Sequence, residues 1–162
     1  MSNAKLSHID SDGRAFMVDV SEKPDTKRIA IAVGRVLMSE SALEAALNES
    51  GPKGNVITTA EIAGIMAAKK TSDLIPMCHP LPISNAKVTV EPVKDVCALE
   101  VVAKVTTTGK TGVEMEALTA VSVACLTLYD MLKALEKSMR IEGVRLLEKS
   151  GGVKGDYKAD ME

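Results

Sequence analysis

The stretch that most constrains the fold is GKTGVEMEALTAVSVACLTLYDMLKALEK, Gly109 to Lys137. Leu118, Val121, Cys125, Leu128, Leu132 and Leu135 recur in alternating steps of three and four, which at a helical period gathers them on one apolar stripe. A long helix so marked must lie on a core. Its opposite stripe carries Glu116, Thr119, Ala120, Val123, Thr127, Asp130 and Lys137, with Lys133 beside Asp130. Small side chains between placed charges suit a face that another backbone, a subunit or a ligand approaches closely, whereas a solvent face is crowded with Lys and Glu. That side is expected to form one wall of a site.

A chain of 162 residues, 46% hydrophobic and 26% charged, is long enough to bury one sizeable core. One domain over residues 1–162 is expected. Aromatic residues make up 2% and Trp is absent, so the core falls to Ile, Val, Leu, Ala and nine Met, and stacking on nucleobases is hard to supply. The formal net charge of −2 argues against a general nucleic-acid or anionic-membrane binder, while leaving room for a local basic pocket. Cys78, Cys97 and Cys125 are odd in number and widely spaced, which suits a reducing compartment and gives neither a disulfide framework nor a zinc knuckle. No apolar run nears the roughly 20 residues of a membrane span, and MSNAKLSHID has no signal-peptide apolar region, so a cytoplasmic location is expected. Ser2-Asn3-Ala4 has the look of an expression scar and carries no functional weight.

Along the chain, residues 1–14 read as a flexible arm with a turn at Asp12-Gly13, and Phe16 to Val20 as a short strand. From Lys27, KRIAIAVGRVLM alternates with period two, a strand. Ser41 to Glu44 and Thr58 to Glu61 have capping-box spacing and predict two helices, the first to about Glu49 and the second through Lys69, separated by a turn at Gly51-Pro52-Lys53-Gly54-Asn55. Three prolines between Pro76 and Pro82 exclude a helix interior and a central strand, leaving a stiff loop that presents Cys78 and His79. Val88 and Val90, then Cys97, Leu99, Val101, Ala103 and Val105, alternate across a short turn and predict a hairpin. The long helix follows, then a strand from Arg140 to Lys149, and residues 150–162 read as a mobile tail. Strand, two short helices, hairpin, long helix, strand is the split βαβ order. It predicts an α+β fold, a ferredoxin-like antiparallel sheet with helices on one face, elaborated by an extra helix and an N-terminal arm. The other sheet face would then need cover, and oligomerisation is the expected means.

The chemistry is less determined than the fold. Gly109-Lys110-Thr111 precedes a helix, but Lys104 stands where a phosphate-loop pattern requires glycine, so that reading fails. His79 suits a general acid or base near neutral pH, and equally a hydrogen-bonded loop histidine. Asp130 and Lys133 are neighbours on a helix surface, either a structural ion pair or a carboxylate that tunes a lysine. Lys53, Lys69, Lys110, Lys133 and Lys149 fall on loops or near element ends, where convergence would build a polyphosphate pocket and divergence would leave solvated lysines. Glu114 and Glu116 in the first turn of the long helix complement its dipole.

Four strings add to this reading: MVDVS, KGNVITTAEIAGIMAAKKTSDLIPMCHPLPIS, TGKTGVEMEALTAVSVACLTLYDMLKA and VRLLEKSGGVKGDY. Together they resemble the MoaC family, the cyclic pyranopterin monophosphate synthases of molybdenum cofactor biosynthesis, from about His8 to Tyr157. The resemblance implies a lyase that converts a cyclised dihydro-GTP to the pyranopterin, closing a cyclic phosphate and releasing pyrophosphate. It implies a homohexamer, a trimer of dimers with sites at subunit interfaces. Carried over by position, it makes Asp130, Lys53, Lys133 and His79 catalytic candidates, and Met77, Cys78, His79, Glu114, Met115, Glu116, Arg28, Lys69 and Lys149 substrate-binding ones. Arg28, Lys69 and Lys149 would neutralise the triphosphate, Lys53 and Lys133 would transfer protons or act as electrophiles, and Asp130 would orient Lys133. No cofactor or resident metal is called for, Mg²⁺ being the ion that the triphosphate itself would bring. The rival from another class is a non-catalytic, nucleotide-sensing ferredoxin-like module, which would bind without turnover.

Overall fold

The computed structural model describes residues 7–48, 55–152 and 155–160. Its elements are β1 (Thr26–Leu37), α1 (Glu40–Leu47), α2 (Val56–Ala68), α3 (Thr71–Leu74), β2 (Ile83–Val93), a 3-10 turn (Lys94–Val96), β3 (Ala98–Gly109), α4 (Glu114–Leu132), β4 (Arg140–Ser150) and β5 (Tyr157–Lys158). The strands form one antiparallel sheet in the order β2-β3-β1-β4-β5. The first four strands have ferredoxin-like topology, and α2 and α4 pack together over one face.

Alternation sets the two faces. Ala30, Ala32 and Val36 of β1 and Leu99, Val101, Ala103 and Val105 of β3 are buried toward the helices, against Val121, Ala124, Cys125, Leu128 and Leu132 of α4. At about 25 cal/mol per Å² of apolar surface, burial on this scale is the main term stabilising the domain. The sheet's other face presents Ile29, Ile31, Val33 and Val102 among charged residues. Gly34 is required where α4 crosses β1, because a Cβ there would lie 2.7 Å from a Val121 methyl. Gly64 is required where α2 crosses α4, because its Cβ would lie 2.9 Å from the Ala120 carbonyl oxygen. The small-residue side of the long helix is therefore approached by a backbone, that of α2, and Glu116, Thr119 and Ala120 are buried by it.

Several boundaries differ from expectation. The N-cap of α1 is Ser39, not Ser41: its hydroxyl accepts from the Ala42 amide at 3.3 Å, and its own amide is taken by the Glu136 carboxylate at 2.7 Å. Asn55 caps α2 in place of Thr58, accepting from the Thr58 amide at 2.8 Å, while Glu61 reaches the amide of Val90 in β2 at 3.1 Å. The turn around Lys53 lies outside the described residues. Helix α4 stops at Leu132 rather than running to Lys137, with Lys133 as C-cap, and Leu135 is 65% exposed instead of joining the stripe. The Tyr129 hydroxyl donates to the Lys137 carbonyl at 2.9 Å and fastens the chain beyond that end. Cys97 is a left-handed turn residue with φ of 47°, outside the strand it was expected to join. Phe16 to Val20 finds no strand partner, and the arm's only ladder contact among the described residues is the bridge between Ile9 and Ala15. In the stretch expected as a tail, β5 pairs with β4, and the Ala159 amide donates to the Leu147 carbonyl at 2.7 Å. By length and composition α4 would cross a membrane, yet half of it is buried as a core helix.

Candidate active site

Sheet register gathers the pocket. Antiparallel pairing sets Ala30 opposite Lys149, Ile29 opposite Ser150 and Arg28 opposite Thr107, so the start of β1 meets the ends of β3 and β4. Helix α4 begins at this same end, five residues after Gly109. The proline loop arrives there too, pinned at both ends: the buried Thr71 hydroxyl caps the α2 carbonyls of Ala67 and Ala68, and the Thr107 hydroxyl donates to the Pro82 carbonyl at 2.7 Å.

Two cavities flank the start of α4. The smaller, about 170 Å³, is bordered by Lys23, Arg28, Lys110 and Lys149 against one carboxylate among the described residues, Glu114. In a chain of net charge −2 this is a local basic pocket. The larger, about 330 Å³, is lined by Met77, Cys78, His79, Met115 and Glu116, with His8, Val18 and Val20 of the arm across from them. Lys23, Thr111, Gly112 and Glu114 border both, which makes them lobes of one site.

Arg28 is only 9% exposed, and its guanidinium donates to the carbonyls of Gly109 at 3.4 Å, Gly151 at 3.2 Å and Lys110 at 3.3 Å. It clasps two loops while leaving its charge in the pocket wall. Gly151 and Gly152 take φ of +93° and +90°, and a Cβ on Gly152 would fall on the guanidinium. Lys149 is paired with Glu114 at 3.0 Å, and Lys110 donates to the Ser21 carbonyl at 2.6 Å.

Glu116 is 4% exposed, and burial, reinforced by the neighbouring charge of Glu114, pushes its carboxyl up to about 7 despite a hydrogen bond from its own amide. It can hold or release a proton near neutrality. Burial and then the Glu116 charge also raise the Cys78 thiol. Asp19 is held below the usual carboxylate range by its bonds to Ser21, helped by Lys110 and His79. Most of this chemistry sits at one end of the fold, but not all of it.

Asp130 and Lys133 lie at the other end of α4. From Glu114 to Asp130 the helix rises about 24 Å at 1.5 Å per residue. The two pair at 2.6 Å, which raises the Lys133 ammonium, and their side chains are 66% and 54% exposed. Helix α2 runs antiparallel to α4, so its start at Asn55, just after the undescribed Lys53, is at the Asp130 end. Its last residue and the exposed C-cap Lys69 are at the Glu114 end, outside both cavities.

Arg28, Met77, Cys78, His79, Glu114, Met115, Glu116 and Lys149 thus converge, whereas Asp130 and Lys133 do not join them within one chain. The MoaC family model matches residues 17–152. The chain belongs to the MoaC family. It is 55% identical over 157 residues to a cyclic pyranopterin monophosphate synthase of Methylobacterium sp. (strain 4-46), covering 97% of this chain and 98% of the relative. To the protein of the same name from Nostoc sp. (strain PCC 7120) it is 54% identical over 156 residues, covering 96% and 93%. The matched span of the MoaC family includes every converging residue and both members of the distant pair. Sequence reasoning passed over the arm residues Asp19 and Lys23, for which the signal was MVDVS, where Val18 and Val20 alternate toward the pocket.

Proposed function

We propose that this chain is a cyclic pyranopterin monophosphate synthase, a lyase of molybdenum cofactor biosynthesis that acts on cyclised dihydro-GTP and releases pyrophosphate. The observation that carries this reading is the two-lobed site: a cationic lobe open to a lobe with a buried carboxyl that titrates near 7 and an imidazole. The triphosphate would lie against Lys149, Lys110 and the pinned charge of Arg28, with Mg²⁺ entering only as its counter-ion. The ring system would occupy the larger lobe, where Glu116 and His79 take up and return protons during rearrangement. Closure of the cyclic phosphate forms a bond from a substrate hydroxyl oxygen to the α-phosphorus, the hydroxyl proton passing to a base of the site. It breaks the bond from that phosphorus to the oxygen bridging it to the β-phosphorus, and pyrophosphate leaves with that electron pair, its charge held by the cationic lobe.

Asp130 and Lys133 would reach this chemistry from a second copy. A twofold-related protomer can bring the Asp130 end of its α4 to the Glu114 end of the first, the isologous arrangement of a dimer. A homohexamer built as a trimer of dimers, with the open sheet face covered, fits that requirement, and the enzyme would work in the cytoplasm.

The test is incubation of purified protein with cyclised dihydro-GTP, scoring pyrophosphate and pyranopterin. Both products are expected. Tight substrate binding without either product, where an established synthase turns over, would instead identify a nucleotide-sensing module.

A further inference from the structure

The end of α4 that carries Asp130 and Lys133 lacks the usual helix stop. A left-handed residue commonly closes a helix and satisfies its last carbonyls, yet among the described residues Cys97 is the one non-glycine of positive φ, and no glycine follows Lys133 before Gly143. The chain leaves instead through a tight turn, the amides of Leu135 and Glu136 both donating to the Leu132 carbonyl, at 2.8 and 3.3 Å. Leu132 and Met139 are sunk in the core, while Lys133, Ala134, Leu135, Lys137 and Ser138 between them are exposed. Glu136, half-buried, ties this span to another element. One oxygen of its carboxylate accepts from the Ser39 amide at 2.7 Å, and the other accepts from the Ser138 hydroxyl at 2.7 Å. Ser39 is itself anchored, because the preceding Met38 amide donates to the Cys97 carbonyl at 2.9 Å.

In a capping box the acidic residue at the third helical position accepts from the N-cap amide. In α1 that position is Ala42, which has no acceptor to offer, and Glu136 takes its place from 97 residues away. We propose that Glu136 is a positioning residue: by completing the capping box of α1 it holds the turn after α4, and with it Asp130 and Lys133, at a fixed place against the sheet. This rests on the synthase reading for the chemistry of that pair, though not for the latch itself. A charge-assisted bond to an anchored amide gives the turn a fixed point three residues beyond Lys133, where neighbouring side chains face solvent. Misplacing a catalytic group by about 1 Å can cost about 100-fold in rate. Fraying of this turn would therefore forfeit turnover without weakening substrate binding.

The experiment compares wild type, Glu136→Ala, Glu136→Gln and, as a control, Glu61→Ala, which removes a carboxylate-to-amide bond of the same kind between α2 and β2. Steady-state rates with cyclised dihydro-GTP give kcat and KM, and mass spectrometry reads amide hydrogen exchange over residues 132–137. Glu136→Ala is expected to lower kcat about tenfold with KM unchanged, and to lose exchange protection in that span. Glu136→Gln keeps an oxygen for the Ser39 amide and should recover most of both. Glu61→Ala should keep both. Wild-type kcat or wild-type protection in Glu136→Ala, or an equal loss of kcat in Glu61→Ala, would overturn the assignment. Wild-type protein that makes no product, with protection lost in Glu136→Ala and kept in Glu136→Gln, would sustain the latch and sink the synthase reading.

Discussion

The two ends of α4 carry comparable charges in opposite settings. At its start, Glu116 is 4% exposed, Arg28 is held by three carbonyls, and a proline loop and the arm enclose the space between them. At its finish, Asp130 and Lys133 pair at 2.6 Å with more than half of each side chain exposed. The first end is organised by its own chain, since desolvation has already shifted its carboxyl to where it can exchange protons. The second pair borders neither cavity among the described residues. An exposed i,i+3 pair contributes little to stability, so its importance would lie in function.

The largest effect that tests this contrast is on turnover. Asp130→Asn is expected to lower kcat by about 100-fold or more, the usual value of a positioned proton-transfer group, with the denaturation midpoint unmoved. Steady-state rates beside urea curves would check it, and normal turnover would reduce the far end to a surface ion pair. Leu128→Ala acts on the core between the ends and should cost about 2–5 kcal/mol in urea unfolding, since Leu128 is fully buried.

Glu116 supplies a pH signature for the enclosed end. Folding raises its carboxyl from 4.5 to about 7, so between those values the folded chain keeps a proton that the unfolded chain has lost. Its contribution to stability is therefore fully present below pH 4.5 and is lost as pH rises through 7, a change of about 3 kcal/mol at 1.36 kcal/mol per pKa unit. Glu116→Gln should remove this slope, and urea unfolding at pH 5 and pH 7.5 would read it. A slope that persists in the variant would assign it to other groups. The smallest effect is expected from Lys70→Ala, which breaks an exposed pair with Asp73 at 3.6 Å. Its cost should be within about 0.5 kcal/mol, matching Asp130→Asn in stability but leaving kcat intact.

Much of the fold was legible because periodicity reports burial directly. The β1 alternation, the hairpin and the apolar stripe of α4 each follow from one residue in two, or one in three to four, meeting the core. Helix starts were less legible, because capping depends on which polar side chain is free to turn inward. Ser39 and Asn55 do so, while Glu61, at the capping-box position, serves the sheet instead. The ends of α4 and the final strand depended on contacts distant in sequence, such as Tyr129 with Lys137 and β5 with β4. For the site, residue types indicated an anion pocket without naming a reaction, and the long strings shared with the MoaC family supplied it. The separation of Asp130 from Glu116 was implicit in the long helix at 1.5 Å per residue, but neither gave the committed state of Arg28, which depends on glycines more than a hundred residues away.

The most direct test of a site shared between copies is a mixing experiment. His79→Ala and Asp130→Ala proteins, each inactive alone, would be unfolded together, refolded at equal ratio and assayed with cyclised dihydro-GTP. In a symmetric dimer, random mixing makes half of the dimers mixed, and each mixed dimer regains one intact site of two. Activity should then return to about a quarter of the wild-type level. No recovery in a sample shown by mass spectrometry to contain mixed oligomers would contradict the account and place both ends of α4 in the service of separate sites.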